Sequence, residues 1–277
     1  YANGSSGGGP PQEPFRLEDL DFLRLTRIVK FICLGLIVLA VLAGLNWARG
    51  FYTDWLWFSG LGHEQVLFVR VTTQIWLYLL GFLVFACLAA PNFYAACRNT
   101  AHYQWKPGNE LSQDKYAAAR RLMVWLGILA IVILAIFLAG YPAARWESFL
   151  RFFNSVGFNE IDPIFERDLA FYVFTLPVLG FLRNWLLGML VVIGAFTAGF
   201  YYLSVNLKGD RFSFEGRFRT HMLVLGALIF VLIAAGHWLG RYDLLFSKTG
   251  AVFGVGYTDH KVLLPALTVL TFVALAT

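Results

Sequence analysis

The chain has 277 residues, 58% hydrophobic and only 14% charged, with a formal net charge of +5 and a mean hydropathy of +0.64. An ordinary soluble domain carries roughly 25% charged residues, so too few polar side chains exist here to cover a water-facing surface, and a lipid bilayer is the expected solvent for much of it. A nucleic-acid partner is argued against as well: it would need a clustered basic face, and the basic residues are instead dealt out between apolar blocks.

The opening YANGSSGGGPPQEP is rich in Gly, Ser and Pro and predicts a disordered tail over residues 1–15. It does not start with Met, which is expected of a trimmed or processed chain. The next stretch, FRLEDLDFLRLTRIVK, mixes charges with Leu20, Leu23, Arg24 and Arg27 at helical spacing. It predicts a cytoplasmic surface helix over 16–30 that leads into a first membrane span.

Uncharged runs follow at Phe31–Ala48, Val71–Cys97, Leu122–Ala144, Asn184–Leu207 and Thr220–Gly240, and another begins at Val262 and is still running at Thr277. A hydrocarbon core of about 30 Å needs roughly 20 apolar residues at about 1.5 Å each. Lipid offers no partner for a free backbone N–H or C=O, so each run must be helical. The expected fold is therefore all-α, a polytopic transmembrane bundle over 31–277 with short interfacial helices in its loops. Its five complete spans are placed at about 31–48, 71–94, 122–141, 182–205 and 220–240, with a sixth, 262–277, cut at the C-terminus. The first run is followed by LNWARG, which lacks a small-x-small cleavage site, so a retained anchor is expected rather than a cleaved signal.

Orientation follows from the basic residues that flank the spans. One side carries 13, including Arg24, Arg27, Arg98, Arg120 and Arg217, in compact segments, and the other carries 9 spread through longer loops. The N-terminus is accordingly expected in the cytoplasm of a bacterium, and the protein in its cell membrane. The stretch FYTDWLWF at 51–58 then lies outside, two or three positions beyond an apolar helix, where Trp and Tyr gather at headgroup depth. Phe51, Trp55, Trp57 and Phe58 are read as an interfacial belt. Phe51, Trp55 and Phe58 fall on one face of a short helix lying in the interface, with Tyr52 and Asp54 toward water. A platform for a sugar or base and a pigment wall are the alternatives.

The runs contain no Asp, Glu, Lys or Arg, which argues against ion coupling within them, because an intramembrane charge is costly and is kept for a task. His221 and His237 lie near opposite ends of the fifth span, about 24 Å apart along a helix, and cannot share one metal or haem. His237 sits in AAGHWLG, after small residues, as haem and bacteriochlorophyll ligands in membranes often do; an interfacial hydrogen bond is the competing explanation. Gly236 and Gly240 form a GxxxG pair that can serve as a helix-packing notch. Cys33, Cys87 and Cys97 have no metal-ligand spacing and read as small apolar residues. No cofactor is expected, haem or bacteriochlorophyll on His237 being the alternative.

The loop RWESFLRFFNSVGFNEIDPIFERDLAFYVFTLP is the richest polar segment, with Asp162, Glu166 and Asp168 around Arg167. A catalytic carboxylate pair needs two carboxyls in different environments. Asp162–Pro163 reads instead as a helix start, with Asp capping, Pro in the first turn, and Glu166 and Asp168 favouring that helix's N-terminal end. The segment GAVFGVGYTDH at 250–260 lacks a lysine-serine ending and a strand–helix frame, so it is a tight loop rather than a phosphate loop.

Three segments in order, FYTDWLWFSGLGHEQVLFVRV, DPIFERDLAFYVFTLPVLGFLRNW and RYDLLFSKTGAVFGVGYTDHKVLLPALTVL, resemble uncharacterised protein family 0182, a group of large bacterial and cyanobacterial membrane proteins. The likeness runs from about residue 31 to Thr277. The resemblance implies N-terminal spans followed by a long extracytoplasmic region, so that this chain is the membrane portion of a longer product. The family usually has an extra residue after the YTD, whereas here Asp259 is followed directly by His260 and Lys261. The resemblance brings no established activity and no catalytic residues.

Uncharged spans, an aromatic collar and no convergent polar site lead to the expectation of a non-enzymatic scaffold or accessory subunit, packed against other subunits of a larger assembly for which a bioenergetic complex is one candidate. A transporter or channel for an apolar or lipid-like substrate is the alternative, and it requires a continuous cavity lined by groups such as Gln74, Thr197 and Ser204.

Overall fold

The computed structural model describes residues 22–101, 113–207, 216–248 and 253–277. The tail at 1–15, the first part of the 16–30 segment and the start of the glycine-rich loop lie outside the described residues. Seven α-helices occur among the described residues: α1 (Phe22–Gly60), α2 (Glu64–Ala101), α3 (Gln113–Ala144), α4 (Trp146–Phe153), α5 (Leu176–Asn206), α6 (Gly216–Asp243) and α7 (Leu264–Ala276). All but α4 belong to segments long and apolar enough to cross a membrane. The chain is an all-α membrane protein.

Helices α1, α2 and α6 run past their uncharged stretches at both ends, and α3 and α5 at their N-terminal ends. α2 has 38 residues, about 57 Å at the helical rise, which is longer than the roughly 30 Å hydrocarbon core. A charge bounds an apolar run but does not end a helix, since an arginine or glutamate at a lipid edge keeps every backbone hydrogen bond. Helix α1 shows this most clearly. It does not stop near Ala48 to be followed by a separate interfacial helix at 51–58; it continues unbroken to Gly60. What ends it is Gly62 at φ 70°, a left-handed position where glycine bears no Cβ penalty. There the N–H groups of Gly62 and His63 donate to Ser59 and Phe58 carbonyls at 3.1 and 3.0 Å.

Two helices begin with a wide turn. Phe171–Thr175 and Asp259–Leu263 are π-helical, and each runs directly into a proline at the first turn of the next helix, Pro177 or Pro265. Proline lacks an N–H and crowds the carbonyl four residues back, and a wide turn relieves both demands.

The core is built by α2, α3, α5 and α6. Phe85, Ala89, Ala135, Met189, Ile193 and Leu225 form its largest buried cluster, and Phe93, Ala96, Phe200, Tyr201 and Phe218 form a second. The α2–α3 contact is set by small residues. A Cβ on Gly81 would lie 2.8 Å from Pro142 Cγ and 3.2 Å from Ala139 Cα, and Ala135 and Ala139 are both fully buried. Farther along, the Phe93 ring lies against Gly127, where a Cβ would come 2.5 Å from Phe93 Cζ. Lipid tails are as apolar as leucine, so close van der Waals packing of this kind is what holds such helices together. α7 packs on α6, and α1 is peripheral: none of the residues in its most apolar window is buried.

Candidate functional site

Polar side chains among apolar helices are where chemistry would be found; here several are tied to other helices, while hydroxyls such as Thr100 and Ser204 bond back to their own. Pro142 has no N–H, so the carbonyl of Leu138 loses its partner within α3. Trp185 Nε1 of α5 donates to that carbonyl at 3.1 Å. Tyr78 of α2 donates through its hydroxyl to Ile136 O of α3 at 2.9 Å.

The longest network joins α2, α5 and α6. Asn92 Nδ2 donates to Leu88 O at 2.6 Å, which turns its Oδ1 toward His221 Nε2 at 2.9 Å. Nε2 must therefore carry the imidazole proton, and in the neutral ring Nδ1 is left to accept from the Tyr201 hydroxyl at 3.2 Å. The Tyr201 oxygen in turn accepts from Asn99 Nδ2 at 2.8 Å. Residues 129 positions apart are thereby linked, a connection invisible to local pattern. Replacing His221 by Leu leaves Asn92 Oδ1 and the Tyr201 hydroxyl without this partner. It is expected to cost about 2 kcal/mol and to lower the melting temperature in detergent by about 5 °C. A melt unchanged within a degree would show that the network contributes nothing.

Arg183, just outside the fourth uncharged run, is held between helices. The apolar helical segment extends from Phe171 to Asn206, and Arg183 stands within it, directly before its uncharged part. Its Nε donates to Leu232 O on α6 at 2.8 Å and its Nη1 to Asn184 Oδ1 at 2.7 Å. The guanidinium lies directly on Gly236, where any Cβ would collide with it. Gly236 is thus a seat for an arginine side chain. Gly240 faces α7, with Leu267 Cδ1 at ordinary contact distance, 4.0 Å from where its Cβ would be. The two glycines serve two neighbours and do not form one helix-crossing notch; that role is taken by Gly81 with Ala135 and Ala139, a small-xxx-small stripe legible in LAIFLAG. His237 is half-buried on α6 and takes part in none of the side-chain hydrogen bonds among the described residues. Among the described residues no three His, Cys, Asp or Glu side chains converge to hold a metal ion.

The aromatic stretch divides by face. Trp55 and Trp57 point outward, 39% and 61% exposed. Phe51, Asp54 and Phe58 are half-buried on the side turned to α2. Asp54 does not face water freely: it pairs with Arg70 Nη1 at 3.3 Å and clips the end of α1 to α2. Trp47 stacks on Phe51 with ring centroids 5.6 Å apart.

The carboxylates of the 145–170 lobe are structural acceptors. Asp162 does not start a helix. It is 2% exposed, and its carboxylate accepts from the N–H groups of Ile164 and Phe165 at 3.2 and 2.6 Å and from the Tyr172 hydroxyl at 2.9 Å. Residues 163–165 make a turn, closed by Glu166 N–H donating to Asp162 O at 3.0 Å with Glu166 in the left-handed region at φ 54°. The helix is instead capped by Asp168, whose Oδ1 accepts from Ala170 N–H at 2.7 Å. The backbone N–H of Ala170 first, then those of Phe158 and Asn159, hold the Asp168 carboxyl below its ordinary range. A lowered carboxylate stabilises the fold above its unfolded value and loses that contribution as pH falls through the folded one. The protection of the Phe158, Asn159 and Ala170 amides against hydrogen exchange, relative to their intrinsic rates at each pH, is therefore expected to fall only below about pH 4, and Asp168→Asn should remove that transition. Unchanged acid dependence in Asp168→Asn would refute the assignment. At the second π turn, Asp259 is buried and its Oδ2 accepts from Gly256 N–H at 3.0 Å, half of a capping box. That explains the loop ending without any phosphate.

Gln74, Thr197 and Ser204 do not share a cavity. Gln74 lines a cavity of about 510 Å³ beside Trp47 and Arg70, while Thr197 and Ser204 are 1% and 4% exposed within the bundle.

Compared with known proteins, residues 31–277 match the model of the family described as Uncharacterised protein family (UPF0182). Similar curated proteins include the UPF0182 proteins of Thermobifida fusca, 31% identical over 87% of this chain and 24% of the relative, and of Cupriavidus necator, 34% identical over 89% of this chain and 27% of the relative. That of Trichodesmium erythraeum is 30% identical over 88% of this chain and 27% of the relative. The chain thus spans about a quarter of the length of the curated relatives it matches. No solved structure matches.

Proposed function

This chain belongs to the uncharacterised protein family UPF0182, and on that premise we propose that it is the membrane part of a non-enzymatic scaffold or accessory subunit within a larger assembly of the bacterial cell membrane, its N-terminus cytoplasmic. The observation that supports this reading is where the bundle's polar groups go. Asn92, Tyr201, His221, Arg183, Trp185 and Tyr78 all bond across helices. Among the described residues no buried side-chain nitrogen or oxygen is left without a partner. Side chains used in this way fix helix positions and leave little for turnover, whereas a reaction site keeps groups poised for substrate. The outer face of α1, with Ile37, Val41 and Leu45 between 56% and 63% exposed, is the surface offered to lipid or to neighbouring subunits.

Purification of the full-length protein from native membranes in mild detergent is expected to recover one or more partners in stoichiometric amount. A homogeneous single species, recovered intact and without partners, would contradict the scaffold reading.

A further inference from the structure

A groove of about 950 Å³ lies between α3 and α5. Pro177, Gly180, Asn184, Gly188 and Val192 line it from α5. Steps of three and four residues keep them on one helix face, and together they cover about 22 Å of rise. Leu138, Tyr141 and Ala144 of α3 form the facing wall. The groove exists because α5 omits side chains along this face: a Cβ on Gly180 or Gly188 would meet nothing within 4 Å. At its inner part, Met189 packs with Ala135 in the main core.

Its mouth carries one charge of each sign. Arg145, at the turn between α3 and α4, is exposed, and its guanidinium carbon lies 6.0 Å from the centre of the Phe181 ring. Asp243, at the end of α6, is also exposed and lines the same groove. Neither takes part in an ion pair among the described residues, so they stand more than 4.0 Å from each other. Two opposite charges that share a cavity without pairing form a template for a ligand carrying both. Below them the groove is mostly apolar, with Asn184 its polar exception, and extends farther than the roughly 15 Å of one hydrocarbon leaflet.

We propose that this groove binds an aminophospholipid of the phosphatidylethanolamine type, with its phosphate on Arg145, its primary ammonium toward Asp243 and an acyl chain along the glycine face of α5. Charge complementarity selects this occupant. A net anionic headgroup would set an uncompensated negative charge beside Asp243, and a quaternary choline has no N–H to donate to the carboxylate. The site does not depend on whether other subunits dock elsewhere on the bundle.

Native mass spectrometry of the delipidated full-length protein, titrated with phosphatidylethanolamine, phosphatidylcholine or phosphatidylglycerol, tests it. Phosphatidylethanolamine is expected to bind about tenfold more tightly than the other two, on the order of 1.4 kcal/mol. Arg145→Gln should lower its affinity about tenfold, a hydrogen-bonded charge being removed. Asp243→Asn should bring phosphatidylethanolamine and phosphatidylcholine to equal affinity. Gly188→Leu, which fills the floor, should abolish binding, whereas Gly44→Leu on α1 should not alter it; a melting curve for each variant confirms that it is folded. Equal binding of all three lipids by the wild-type chain would overturn the proposal. So would phosphatidylethanolamine binding unchanged by both Arg145→Gln and Gly188→Leu, or a photo-crosslinker at Phe181 that captures a second polypeptide rather than lipid.

Discussion

Replacing Gly81 by leucine is expected to destabilise the bundle by about 3 kcal/mol and to lower its melting temperature in detergent by about 6–12 °C. The reason is local and steric. The first added carbon would already sit 2.8 Å from Pro142 Cγ and 3.2 Å from the backbone of Ala139. A proline ring can tilt slightly, but a helix backbone cannot yield without moving the whole of α3. Moving α3 would in turn disturb the Trp185 bond to Leu138 and the Phe93 ring on Gly127. Gly81→Ala should therefore cost less, about 1 kcal/mol. Gly44→Leu is the matched control, because a Cβ there meets nothing within 4 Å, and it should melt with the wild type. Equal losses for Gly81→Leu and Gly44→Leu would mean that α2 and α3 are not packed as described.

Asp162→Ala is expected to have a comparable effect, about 3 kcal/mol, confined to the 145–170 lobe and its junction with α5. Three donors lose their acceptor together: the N–H groups of Ile164 and Phe165, and the Tyr172 hydroxyl. Tyr172 is 5% exposed, so its O–H has no easy route to water. The ring cluster around it, in which Phe165, Phe171 and Tyr242 meet and Arg167 lies 4.9 Å over Phe171, should loosen as a unit. Limited proteolysis between residues 154 and 168 should become at least tenfold faster, and hydrogen exchange at Ile164 and Phe165 should rise with it. Asp162→Asn keeps one acceptor oxygen and should fall about midway. Proteolysis of Asp162→Ala at the wild-type rate would show that the carboxylate does not hold the lobe.

Hydropathy alone placed the six apolar segments and made the fold class legible, because the demand that lipid makes on a backbone is absolute and composition records it. Helix ends were not legible in the same way. Arg49 and Arg183 interrupt an apolar run without interrupting a helix, so α1 passes through the aromatic stretch and α5 begins well before its uncharged part. The true stops are conformational, Gly62 at positive φ and the proline-linked π turns. Asp162–Pro163 reads locally as a helix cap, yet the turn it stabilises leads into Asp168, and only the pairing of residues 161 and 168 reveals which carboxylate starts the helix. The network through His221 and the seat of Arg183 on Gly236 depend on which helices adjoin, information carried by no single segment. The groove was hidden for the same reason: Gly180 and Gly188 look like ordinary glycines of a membrane helix until α3 is placed opposite them.

The central claim is that lipid covers the apolar surface of this bundle. Val38, Leu83, Val132, Val191, Leu228 and Leu270, one on each membrane-length helix, are all between 41% and 57% exposed in the folded chain. Each is replaced singly by cysteine in a chain whose own three cysteines are changed to alanine, and intact membranes are treated with a charged, membrane-impermeant maleimide on both sides. All six positions should stay unlabelled until the membrane is dissolved in denaturing detergent, since what contacts them is hydrocarbon. Rapid labelling of these positions in intact membranes would mean that water covers them, and the account would be wrong.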